Sequence, residues 1–169
     1  PTFVQIHGGP TWSWLPHYMV WWEWWGQYLA GRGYVALLPN IRGSTGRGTA
    51  YAEANVGDMG GGDWQDVLTG VDHLIARGLT DPDRLGIGGW SYGGFMTAWA
   101  VSQTDRFKAA IMGAGLGNWM SYYAQNDIRD WQTVFFGSTP YENPELHRAR
   151  SALTYLHQFR TPTLILHGE

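Results

Sequence analysis

GIGGWSYGGFM, residues 86–96, decides how the rest of the chain is read. Its centre, Gly89-Trp90-Ser91-Tyr92-Gly93, has the spacing G-x-S-x-G. The preceding RLGIG reads as a buried strand. The following YGGFMTAWAVS repeats apolar residues at helical spacing through Tyr92, Phe95, Met96, Trp99 and Ala100. A serine on a turn between strand and helix projects from the strand's C-terminal end, above the helix N-terminus, where backbone N–H groups favour negative charge. Gly89 and Gly93 leave space where such a turn meets neighbouring backbone. Ser91 is thus a candidate nucleophile. It needs donors for an oxyanion, a base, and a carboxylate to orient that base.

Upstream, TFVQIH (residues 2–7) is a β-rich run that ends at His7-Gly8-Gly9-Pro10. Acyl transfer needs two N–H donors aimed at the tetrahedral oxyanion. One is the amide after the nucleophile, Tyr92. The other comes from a glycine loop after an early strand, and Gly9 is the candidate. Losing one such donor costs about 3–4 kcal/mol of transition-state stabilisation. His7 precedes the glycines and is expected to orient that loop.

Further strands are predicted at Tyr34–Leu38, Arg84–Gly88, Ala109–Met112 and Pro162–Leu166. Trp21, Trp24, Trp25, Tyr28 and Leu29 recur at helical spacing, which predicts an amphipathic helix ending at Gly31 or Gly33 with these residues on its core face. After GDMGGG, Asp63 is placed to cap a helix whose apolar stripe is Trp64, Val67, Leu68, Val71, Leu74 and Ile75. Residues 117–136 read as one aromatic-rich helix, and PYENPELHRARSAL as short helices and turns. Strands alternating with helices predict an α/β fold, a mostly parallel sheet with helices on both faces.

The 169 residues suit about one domain, and 44% hydrophobic against 15% charged residues supports a packed core. A net charge of −3 offers no footprint for nucleic acid. Ten of the eleven cations are arginines, Lys108 being the exception. The absence of cysteine removes thiolate nucleophiles and cysteine-bound zinc. No apolar run reaches the ~20 residues of a membrane span. Neither the G-x-G-x-x-G nor the G-K-[ST] phosphate cradle is complete, and no H-E-x-x-H spacing exists. No metal or cofactor is therefore called for, while oligomeric state and compartment stay open, with a slight lean to the cytoplasm.

The base and its acid are harder to place. α/β-hydrolases carry the triad in the order serine, acid, histidine, the acid following a later strand. PTLIL (residues 162–166) is where that strand belongs, and His167 sits where the loop to the acid would begin. His147 and His157 read as packing or surface residues, and His17 and His73 carry no assigned role. Asp127, Asp130 and Glu142 precede the last strand. The expectation is a chain truncated at both ends, with the acid and base beyond Glu169 and little activity in this piece alone.

Taken together, HGGP, PNIRGSTGRG, GDMGGGDWQDV, DPDRLGIGGWSYGGFMT, DRFKAAI and TPTLILHGE resemble the catalytic domain of the prolyl oligopeptidase family, in its acylaminoacyl-peptidase and dipeptidyl-peptidase-like branch. The resemblance spans essentially residues 1–169. It implies an α/β-hydrolase domain, here partial and without the family's N-terminal β-propeller, that cleaves short peptides through an acyl-enzyme. It implies Ser91 as nucleophile and Tyr92 and Gly9 as oxyanion donors. GNWMSYYAQND resembles the region lining the pocket for the side chain before the cleaved bond, so Trp119, Tyr122 and Tyr123 are candidate substrate-binding residues. Core packing is the other reading of these aromatics. Arg42, in the RGS loop, is expected to serve a structural hydrogen-bonding role.

Two other functions fit part of the pattern. A carboxylesterase would share HGG and G-x-S-x-G. A non-catalytic binding module could use the tryptophans, six of whose eleven lie at residues 12–25.

Overall fold

The structure is a computed structural model and describes residues 1–18, 21 and 24–168. Trp22 and Glu23 of the tryptophan-rich stretch lie outside the described residues. Five strands form one parallel sheet: β1 (Thr2–Ile6), β2 (Val35–Leu37), β3 (Leu85–Trp90), β4 (Phe107–Gly113) and β5 (Thr163–Leu166), in the order β2-β1-β3-β4-β5. Each coincides with a run of apolar residues anticipated in the sequence, with ends moved by one or two positions.

The helices are α1 (Gly26–Ala30), α2 (Thr49–Ala52), α3 (Gly62–Ala76), α4 (Tyr92–Gln103), α5 (Trp119–Gln125), α6 (Arg129–Phe136) and α7 (Pro144–Ala149), followed by a 3-10 segment at Ala152–Gln158. The anticipated stripes of α3 and α4 face the core: Trp64, Val67 and Val71 pack with Phe95, Met96 and Trp99. α4 is buried on every side from Tyr92 to Ser102, which explains why it carries no polar face.

From β1 the chain steps outward to β2, then returns to β3 and continues through β4 to β5. The direction of winding therefore reverses between β1 and β3. In open α/β sheets such a reversal opens a crevice at the carboxyl ends of the strands. Pairing of Ile6 with Gly89 brings the ends of these two strands level. The HGGP loop leaves one and the Ser91 turn leaves the other.

Three local expectations differ from the structure. Among the described residues, the helix predicted from Trp21 is limited to the five residues of α1, and its aromatics do not share a buried face: Trp21 is 57% and Tyr28 62% exposed. The rings instead make a cluster, with Trp24 stacked on Trp12 at 5.6 Å, Trp12 edge-on to Trp14 at 5.3 Å, and Trp25 edge-on to Phe3 at 6.1 Å. Aromatic side chains lose rotamer freedom in a helix, and ring-on-ring burial competes with it.

Asp63 is not a cap. The N-cap position is Gly61, and Asp58 Oδ2 accepts the Gly62 N–H at 2.8 Å. The glycines make this possible: a Cβ on Gly61 would stand 2.0 Å from Asp58 Oδ1, and one on Gly62 would stand 2.4 Å from Arg42 Nη1.

The 117–136 helix is two helices, α5 and α6. Asn126 ends the first by donating its side-chain amide to the Tyr122 carbonyl, and its Oδ1 accepts the Ile128 N–H at 2.7 Å. Asparagine offers the backbone this alternative to continued helix.

Candidate active site

Ser91 stands between β3 and α4 with φ 58° and ψ −115°, and its side chain is exposed. A non-glycine residue with positive φ is strained by about 1–3 kcal/mol and persists only where its surroundings enforce it. They do so from two sides. The Ser91 N–H donates to the Gly113 carbonyl at the end of β4 at 3.0 Å, and Phe95 N–H donates to the Ser91 carbonyl at 3.0 Å. The glycines around it are packing requirements. A Cβ would meet the Ile6 carbonyl oxygen at 2.4 Å from Gly89 and 2.2 Å from Gly93, and the Gly113 oxygen at 2.3 Å from Gly94. The start of α4 is thus wedged between the ends of β1 and β4.

The HGGP loop lies against this turn. A Cβ built on Gly8 would be 3.6 Å from Ser91 Cβ and 3.4 Å from the Trp90 oxygen. Gly9 follows at φ 121°, where a Cβ would stand 2.6 Å from Thr11 N. His7 anchors the loop from below. It is buried, with Nδ1 2.7 Å from the Gly8 carbonyl oxygen and Nε2 2.8 Å from Ser44 Oγ. Burial pushes the imidazole below its ordinary pKa, against the raising effect of the Gly8 bond. In the neutral ring the Nδ1 proton goes to the Gly8 carbonyl, so Nε2 and the Ile41 carbonyl share the single Ser44 hydroxyl proton. The Ser44 hydroxyl, also 2.6 Å from the Ile41 carbonyl, ties this loop to the RGS loop. Arg42 of that loop is structural: its N–H and Nε donate to Asp66 Oδ2 at 2.8 and 2.9 Å, and Nη2 to Oδ1 at 2.7 Å.

Tyr92 follows Ser91 as the first residue of α4. The first N–H groups of a helix have no intrahelical acceptor, so its amide is available to a ligand. Its side chain turns into the core, and the hydroxyl donates to Asp63 Oδ2. Asp63 is wholly buried. Burial pushes its carboxyl up to about 6, against hydrogen bonds from Tyr92, Trp64, Asn55 and Gly60. Burial, and then the Asp63 charge, push the Tyr92 phenol well above its ordinary value. This pair was not legible as a site residue, since Asp63 reads in the sequence as a helix cap.

Trp119 does not line an open pocket. It is 0% exposed, packs against Phe95, Phe136, Trp131 and Tyr122, and its indole N–H donates to the Arg150 carbonyl at 3.1 Å. Tyr122 and Tyr123 are half-buried on α5, with Tyr123 edge-on to Tyr141 at 5.9 Å.

The remaining histidines are accounted for. His147 is buried and stacked on Phe136 at 4.1 Å, accepts from Gln132 Nε2 at 3.2 Å and lies 3.1 Å from the Ser138 carbonyl. His17, His73, His157 and His167 are exposed. Asp127 and Asp130 are also exposed, and Glu142 accepts from Thr139 N–H and Oγ at 2.8 and 2.9 Å. Among the described residues no group of three or more acidic, histidine or cysteine side chains is placed to hold a metal, and no helix is long and apolar enough to cross a membrane.

A parallel sheet with a serine on a strained strand-to-helix turn, beside a glycine loop at the reversal of winding, defines an α/β-hydrolase fold. The chain belongs to the prolyl oligopeptidase family, whose signature matches residues 20–169. It is 43% identical over its whole length to an uncharacterized peptidase, YuxL, of Bacillus subtilis, and 33% identical to dipeptidyl-peptidase 5 of Porphyromonas endodontalis, covering 25% of each. Among solved structures it is similar to the acylaminoacyl peptidase of Pyrococcus horikoshii, with a TM-score of 0.88 and 37% identity over 99% of this chain and 27% of the other. An acylaminoacyl peptidase in complex with Z-Gly-Gly-Phe-chloromethyl ketone matches equally, at TM-score 0.88 and 37% identity over the same shares. The chain thus spans about a quarter of the length of the relatives it matches.

Proposed function

We propose that residues 1–169 are part of the catalytic domain of a serine peptidase that hydrolyses short peptides through an acyl-enzyme, and that they carry its nucleophile and oxyanion donors. The observation that carries this reading is the Ser91 turn seated against the HGGP loop. Ser91 Oγ attacks the peptide carbonyl carbon while its proton passes to a base. The carbonyl oxygen, now negative, is held by the amides of Tyr92 and Gly9. The C–N bond breaks as the base returns the proton to the leaving amine. Water then attacks the ester by the same route and frees Ser91.

The base and its acid are supplied from outside these residues. Support comes from the six histidines: two are buried in structural bonds and four are exposed on other elements. The isolated chain is accordingly a poor catalyst. Tyr122 and Tyr123 are the candidates for contact with the substrate side chain before the cleaved bond, with Trp119 as the buried support of α5. The names of the similar proteins, an acylaminoacyl peptidase and a dipeptidyl-peptidase, make acylated or free N-terminal residues of short peptides the substrates to try first.

Turnover of aminoacyl- and dipeptidyl-anilides against short acyl esters, in the complete protein that carries this chain, tests the reading. A peptidase cleaves both kinds. Cleavage of esters alone would make it a carboxylesterase. Cleavage of neither would leave a binding module.

A further inference from the structure

Acyl transfer uses the Tyr92 amide. It has no evident use for the Tyr92 side chain, yet that side chain is among the most specifically held near the site. The ring packs at 5.4 Å from Phe95, and the hydroxyl donates to Asp63 Oδ2 and lies 3.5 Å from Asn55 Nδ2. Asp63 Oδ1 accepts the Trp64 N–H at 2.8 Å. A carboxylate with no exposure, held inside an aromatic core, is costly unless its bonds are well made. Phenylalanine would fill the ring's space without any of this.

What the bond does is fix residue 92 from a third direction. Gly93 and Gly94 wedge the start of α4 between β1 and β4 at its upper end. Asp63 belongs to the first turn of α3, and through the hydroxyl it pins the Tyr92 side chain, and with it the rotation of the peptide joining Ser91 to Tyr92. That peptide carries the N–H aimed at the oxyanion, and it follows a residue whose positive φ needs outside support.

We propose that Asp63, acting through the Tyr92 hydroxyl, is a positioning residue for the oxyanion-binding amide. The inference rests on the reading of Ser91 as nucleophile and the Tyr92 amide as donor. Asp63 touches neither substrate nor reacting atoms. Its effect lies in the alignment of one N–H, which matters more as charge develops than in the ground state.

The test uses the complete protein that carries this chain, with Tyr92→Phe, Asp63→Asn, Asp63→Leu and the Tyr92→Phe/Asp63→Asn double variant. The readouts are kcat and KM on a peptide anilide and the rate of reaction with an aryl phosphonate. Tyr92→Phe is expected to lower kcat and the phosphonylation rate together by roughly 10- to 100-fold, with KM within about twofold. Asp63→Asn, which keeps an acceptor for the hydroxyl, should retain more rate than Asp63→Leu. The double variant should lose less than the product of the two single losses.

Unchanged kcat in Tyr92→Phe, or single losses that simply multiply, would overturn the inference while leaving Ser91 as nucleophile intact. If Tyr92→Phe strands the buried charge and does not fold, the double variant decides. Lowered kcat at unchanged KM supports positioning, and wild-type kcat contradicts it. A wild-type protein inert to both anilide and phosphonate would overturn the underlying reading and the inference with it.

Discussion

The carbonyl oxygen of Ile6 occupies the space beside both Gly89 and Gly93: a Cβ on either would stand 2.4 or 2.2 Å from it. One backbone oxygen of β1 thereby sets the path of the chain into and out of the Ser91 turn. Gly93→Ala should destabilise the fold by about 3 kcal/mol or more, since backbone on both sides must move. Chemical denaturation of the isolated chain measures this. A loss within 0.5 kcal/mol, about the scatter of neutral surface changes, would show that the turn is not packed as described.

Ser91 itself is a residue held against its preference. With φ 58° and ψ −115°, replacement by glycine relieves strain that alanine retains. Ser91→Gly is expected to be more stable than Ser91→Ala by about 1 kcal/mol. Equal stability of the two variants would count against a strained turn. Thermal melts of both, run side by side, give the comparison.

The pH dependence of stability follows from two buried groups with opposite signs. Asp63 has its carboxyl raised to about 6 from 3.8, so the folded state binds its proton more tightly. That contribution is fully present below the unfolded value and is lost as pH rises through the folded one. About two pKa units correspond to about 3 kcal/mol lost between roughly pH 4 and pH 6. Asp63→Asn should remove this slope. An unchanged profile between pH 4 and 6 in the variant would exclude Asp63 as its source.

His7 acts in the other direction. Burial holds its pKa below 6.5, so the neutral ring stabilises the fold. This contribution is present above the unfolded value and declines as pH falls below it toward the folded one. His7→Asn should flatten the stability profile on that acid side of 6.5. Burying the charged ring is the cost of protonation, so the HGGP loop around His7 should open more readily as pH falls, seen as faster amide exchange at Gly8 and Gly9. Protection unchanged down to pH 5 would contradict the anchoring role.

Much of this was legible in the sequence, for physical reasons that differ by element. The five strands are short, mostly apolar runs, the signature a covered parallel sheet favours, with Gln5 and Lys108 as departures. Gly89 and Gly93 were legible because the turn leaves no room for a Cβ where Ile6 O approaches. The tryptophans misled because helical spacing at Trp21, Trp24 and Trp25 says nothing about whether rings stack on one another or on a helix face. Trp119 admits both a pocket and a core reading in the sequence. Its position matches a pocket-lining segment, but its indole is spent on the Arg150 carbonyl and the core. Asp63 reads as a cap because Asp before an apolar stripe usually is one. Only the fold shows that Asp58, five residues earlier, takes the Gly62 N–H and frees Asp63 to meet Tyr92.

The most direct measurement is covalent labelling. The complete protein that carries this chain, treated with an aryl phosphonate and digested, should yield one modified peptide with the adduct on Ser91. Ser91→Ala should abolish it while leaving the fold intact. An adduct on another residue, or labelling undiminished in Ser91→Ala, would contradict the assignment of Ser91 as the nucleophile.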